Sequence, residues 1–192
     1  MRLPAALLGV LALAAGCTDA VTYTSLGHVF TANMTGNTVL LGIAAVNGSA
    51  VRLARAACAL GGFCAGVAVT AWLIPSAAGG VWPRRATAAL VIEALALGVL
   101  ALAAAANVVG GHANGAVALS GFAMGTQSAA VRAAGVSGVA TTYITGTLTG
   151  LIAGGVAWIA RRPVDRGGSG SGTSLRLAGA IWASYLGAAA AG

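Results

Sequence analysis

The sequence predicts an all-α fold: a polytopic transmembrane bundle of about seven helices in a single domain over residues 1–192. Three observations predict it. The 192 residues are 58% hydrophobic and 7% charged, with a mean hydropathy of +0.91. A soluble domain carries roughly 25% charged residues, so there is too little polar surface here to coat a globule in water. The apolar residues fall in long continuous runs, where barrel strands would show short alternating ones. Two polar stretches interrupt those runs and resemble each other: Phe30-Thr31-Ala32-Asn33-Met34-Thr35-Gly36-Asn37 and Thr141-Thr142-Tyr143-Ile144-Thr145-Gly146-Thr147-Leu148-Thr149.

Each segment must supply roughly 20 residues to cross the hydrocarbon. The expected spans are residues 3–23, 29–46, 53–73, 86–109, 116–131, 139–160 and 175–191. Pro75 and Gly79-Gly80 close the third, and the Gly/Ser-rich stretch 167–172 is a flexible linker before the last. Met1-Arg2, an apolar run and Ala14-Ala15-Gly16-Cys17 look like a lipoprotein export signal. Ala14 stands where a larger aliphatic residue is usual, and further spans follow, so the first segment is expected to be retained.

All ten basic residues are Arg, for a formal net charge of +7. They are scattered between apolar runs, which fits topology control rather than nucleic-acid binding. With seven spans, Arg2, Arg52, Arg55, Arg161, Arg162, Arg166 and Arg176 share one side; Arg84, Arg85 and Arg132 take the other. That asymmetry predicts a cytoplasmic N-terminus. Trp72, Trp82 and Trp158 fall near expected interfaces, as anchors. Cys17, Cys58 and Cys64 lie in apolar runs, and His28 and His112 are isolated in loops, so no disulfide framework, metal site or cofactor is expected. Gly62 and Gly66, Gly121 and Gly125, and Gly146 and Gly150 have the four-residue spacing that lets helices approach closely in lipid.

The halves align. Asp19 to Gln127 and Gly27 to Gly135 share one offset, and Thr35-Gly36 to Thr145-Gly146 is two residues longer. A 3+1+3 internal repeat follows, with repeat 1 over about 3–75, a linking helix over about 86–109 and repeat 2 over about 116–191. A single linking helix makes the repeats parallel, related by an axis along the membrane normal. Asp19 and Gln127 are then expected at one depth.

Gly16-Cys17-Thr18-Asp19-Ala20 with Leu26-Gly27-His28-Val29 and the first polar stretch resembles the YoaK-type DUF1275 family of bacterial membrane proteins. So does Ala123-Met124-Gly125-Thr126-Gln127-Ser128-Ala129-Ala130-Val131-Arg132 followed by the second stretch. The resemblance covers nearly the whole chain. It implies a multi-pass helical protein of the bacterial inner membrane with no settled activity; members of that family usually carry one more apolar segment after the position of Ala191, from which this sequence departs.

A carboxylate within a span costs roughly 2.5–3.5 kcal/mol at the bilayer centre, so Asp19 must face a cavity or a partner. Asn33 and Asn37 are four apart and share a helix face. Asp19, Asn33, Thr35, Asn37, Gln127, Tyr143 and Thr145 are therefore the candidate substrate-binding residues, and Glu93, within the fourth run, the candidate for proton coupling. No nucleophile elbow, phosphate-binding glycine loop or zinc-type histidine pair is present, so an enzyme is not expected. The expected function is a small-solute or ion transporter or channel. The alternative is a non-transporting structural or partner-binding membrane protein whose polar residues only hold helices together. A unit this small is a candidate for homodimerisation.

Overall fold

The structure, a computed structural model, describes residues 5–74, 84–133, 179–181, 183, 184 and 187. Five α-helices are complete within them: α1 (Ala5–Ser25), α2 (Met34–Val46), α3 (Ala50–Leu73), α4 (Arg84–Ala105) and α5 (Ala113–Ala133). A 3-10 turn, Val109–His112, leads into α5, and no strand occurs among the described residues. Three helices are long and apolar enough to cross a membrane, in the stretches Ala6–Ser25, Ala50–Leu73 and Arg85–Ala105. The sixth expected span lies outside the described residues. Residues 179–181, 183, 184 and 187, inside the seventh, are helical.

Helix α5 is the centre. Most of its residues are buried, unlike those of α3 and α4, whose outer faces carry exposed Val, Leu and Trp. Glycines bring α3 and α5 together at backbone distance. A Cβ on Gly62 would run into the Ala118 carbonyl oxygen, and one on Gly66 into that of Phe122. From the other side, Gly121 meets Ala59 and Gly125 meets Phe63. Paired numbers rise together, so α3 and α5 are parallel. Helix α4 runs the other way: Ala86 and Ala89 pack with Ala130 and Ala133, and Leu97 packs near Met124.

The second expected span is not a span. Only 13 of its residues are helical, about 20 Å of helix at 1.5 Å per residue. Helix α1 ends in a Schellman turn: Gly27 takes φ +93°, and the His28 N–H returns to the Tyr23 carbonyl at 3.1 Å. The chain then turns back into the bundle. Val29 packs on Ala56 and Val117, Thr31 meets Ser120, and Ala32 reaches Ala15, Ala123 and Met124. Helix α2 starts there, near the middle of α5, and retraces the same path, with Leu41 beside the cluster that holds Val29. Segment 26–46 is thus re-entrant: both its ends lie at the same end of the bundle.

This corrects two expectations. Helix α1 is antiparallel to α5, since Leu8 packs with Val131, Leu11 meets Gln127, and Ala15 meets Ala123. The repeats were expected to run parallel, and the helices bearing Asp19 and Gln127 do not. Arg55 lies at the C-terminal end of α1, against Gly27, while Arg85 and Arg132 lie at the end where α1 begins. The expected grouping of Arg52 and Arg55 with the N-terminus therefore does not hold. One non-spanning segment inverts the side of everything after it.

Candidate functional site

A chain that turns inside a bundle exposes backbone groups that no helix satisfies, and each must find a partner. Asp19 supplies the partner for two of them. It is 2% exposed, and its Oδ1 accepts the N–H groups of Thr31 and Ala32, both at 2.7 Å. These bonds are short for N–H···O contacts. Asn37, fully buried, holds the next residue from the other side: its Oδ1 accepts the Phe30 N–H at 2.9 Å, and its Nδ2 donates to the Phe30 carbonyl. Asn33 is the N-cap of α2, its Oδ1 accepting the Gly36 N–H at 3.2 Å. The Phe30 ring stacks on Tyr23 at 4.9 Å and presses on Gly36, where a Cβ would come within 2.9 Å. That contact accounts for the glycine in the Thr35-Gly36 pair.

Ser120 of α5 donates to the Thr31 hydroxyl at 2.9 Å, joining the re-entrant segment to the central helix. On its outer side, Ser120 lines a cavity of about 800 Å³ that opens at the C-terminal end of α1. Cys17, Thr22, Gly27, Arg55 and Ala104 form other parts of its wall. The α1 hydroxyls there are already bonded along their own helix, Thr18 to the Ala14 carbonyl at 2.7 Å and Thr22 to that of Thr18 at 2.9 Å. They present a polar wall without leaving a donor unmatched.

The family model with the description "Protein of unknown function (DUF1275)" matches residues 7–192. The chain belongs to this family. It is similar to the UPF0700 transmembrane protein YoaK of Bacillus subtilis (strain 168), at 41% identity over 147 residues, 76% of this chain and 64% of that protein. The chain thus spans just under two thirds of that relative's length. No solved structure matches it.

Of the residues singled out in this DUF1275 sequence, Asp19, Asn33 and Asn37 converge on the re-entrant segment. Thr35 sits in the first turn of α2 and is exposed. Gln127 is fully buried but lies elsewhere: its Nε2 donates to the Leu11 carbonyl at 2.8 Å, two turns along α1 from Asp19. The expected common depth of Asp19 and Gln127 is not found, because the two helices run in opposite directions. Glu93 is 4% exposed and lies on the α4 face between Leu90 and Leu97, at the level of Gln127. Its Oε2 has no hydrogen-bond partner among the described residues. Tyr143 and Thr145 lie outside the described residues. Sequence reasoning missed Thr31, Ser120 and Arg55. Ser120 stands seven residues before Gln127, hence on the same helix face, a spacing that could have drawn attention to it.

Proposed function

We propose that this protein is a small-solute or ion transporter of the bacterial inner membrane, with the re-entrant segment 26–46 as its solute-facing element. One observation carries the reading: a half-length helix begins mid-bundle, and the turn before it is bonded through Thr31 to Ser120, which lines a cavity together with Leu26, Gly27 and His28. Irregular backbone at membrane depth is tolerated where it is enclosed by protein or lines a water-filled space. Interrupted helices of this kind form the midplane sites of many secondary transporters. The antiparallel course of α1 and α5 fits inverted repeats, the arrangement in which two such elements face each other. Glu93 carries the coupled proton in this scheme, as a buried carboxyl on a helix next to the centre.

The test is osmotic re-swelling of proteoliposomes in ribitol, alanine or sodium sulfate. Ala104→Trp, which fills the cavity from α4 without touching Asp19 or Asn37, abolishes permeation and leaves thermal stability intact. Unchanged permeation in that variant contradicts the reading. Glu93→Gln removes stimulation by a pH gradient and retains passive exchange; an undiminished response to the gradient removes Glu93 from the scheme.

A second reading has its own support. Asp19 accepts the N–H groups of Thr31 and Ala32, and Asn37 is tied to the N–H and carbonyl of Phe30, which is what a purely structural role requires. Under that reading no solute permeates, with or without the Ala104 plug.

A further inference from the structure

The cavity wall carries one charged side chain among its described residues, Arg55. It is half-buried, its Nε is shielded from solvent, and that Nε has no hydrogen-bond partner among the described residues. Such a group is costly to leave unmatched. The fold nevertheless makes room for it. The guanidinium lies over Gly27, so closely that any Cβ there would overlap it, and Gly27 holds φ +93°. Asp19, the nearest acidic residue in sequence to the cavity wall, directs Oδ1 to the backbone of Thr31 and Ala32. The remaining polar wall carries His28 with Thr18, Thr22, Ser25, Asn107 and Ser120, and no acidic residue among the described ones. The helix ends around the cavity offset one another: α1 and α4 finish there, while α3 and α5 begin. Arg55 is therefore the permanently charged group of this wall among the described residues.

We infer that the solute of this cavity is a small oxyanion, a carboxylate, phosphate or sulfate, bound by the Arg55 guanidinium with Ser120 and Thr22 as neutral neighbours. This deepens the transporter reading and rests on it. A guanidinium presents paired N–H donors that match two oxygens of such an anion. A positive group in a low-dielectric cleft also concentrates anions at its mouth. A lipid phosphate shares this chemistry, and Val21, Leu26, Leu97 and Leu100 add apolar surface to the wall; protection by sulfate or by phosphatidylglycerol separates the two sources.

Cys17, on the same wall, supplies the probe. In a Cys58→Ala, Cys64→Ala background, Cys17 is modified by anionic sulfonatoethyl or cationic trimethylammonioethyl methanethiosulfonate, and each rate is referred to that of free cysteine. The anionic reagent is expected to be favoured, and Arg55→Gln to lower the anionic-to-cationic ratio about tenfold. Arg55→Lys, which keeps the charge, retains most of the preference. Sodium sulfate slows the reaction in lipid-free detergent at constant ionic strength, and no longer does so in Arg55→Gln. Equal relative rates for the two reagents, or a ratio unmoved by Arg55→Gln, overturn the anion and leave the water-filled cavity standing. Protection by added phosphatidylglycerol but not by sulfate or phosphate overturns a soluble solute. Failure of both reagents to reach Cys17 in the folded protein overturns the transporter reading itself, and the anion with it.

Discussion

Asp19 shows how one side chain can decide a local fold. Its position in an apolar run says only that it must be compensated, by a solute, an ion or the protein. The structure supplies two backbone N–H groups, and these are the groups orphaned when the chain leaves the helical path after Gly27. Asp19→Asn puts an amide where the carboxyl accepts both N–H groups and is expected to destabilise the protein by about 1–3 kcal/mol. Asn37→Ala, which strips the Phe30 N–H and carbonyl of their partners, falls in the same range of about 1–3 kcal/mol. Thermal unfolding in detergent measures both; stability like the native protein's in either variant would show that the re-entrant segment does not depend on these bonds. The sequence made Asp19, Asn33 and Asn37 legible because polar groups stand out against Ala, Leu and Val. Arg55 was read as a topology signal, since nothing local distinguishes a cavity arginine from an interfacial one.

At the level of elements, two features rest on spacing and were read with different success. The Gly62/Gly66 and Gly121/Gly125 pairs predicted close helix contact, and α3 and α5 meet through these four residues. A sign contrast tests this. Gly62→Ala drives a methyl into the Ala118 carbonyl and is expected to cost about 1–3 kcal/mol. Gly61→Ala, one position away in open space, is expected to be neutral or to stabilise by about 0.5–1 kcal/mol, the ordinary helical preference for Ala over Gly. Equal effects in thermal unfolding would remove the packing explanation. Segment 29–46 was misread, because hydropathy and length do not distinguish 18 apolar residues that cross a bundle from 18 that enter and return. What separates them is capping chemistry: the Gly27 turn, the Asn33 cap and the tie from Asn37 to Phe30. All three were present in the sequence as residue types, but their partners are set by tertiary contacts.

For the molecule as a whole, that segment sets the topology. Counting it as a span places residues 26 and 47 on opposite sides of the membrane, aligns α1 with α5 and makes the repeats parallel. Letting it return reverses α3, α4 and α5 together. Arg85 and Arg132 then share the end where α1 starts, and Arg55 sits at the mouth of the cavity. The expected grouping of the arginines rests on this one premise, while the all-helical class and the apolar extent of α1, α3 and α4 need no such premise. The most direct measurement is labelling of single cysteines, introduced as Ser25→Cys, Asn47→Cys and Arg132→Cys into a cysteine-free background, by a membrane-impermeant maleimide in sealed vesicles of known orientation. The account predicts that positions 25 and 47 react from one face and position 132 from the other. Labelling of 25 and 47 from opposite faces would contradict it.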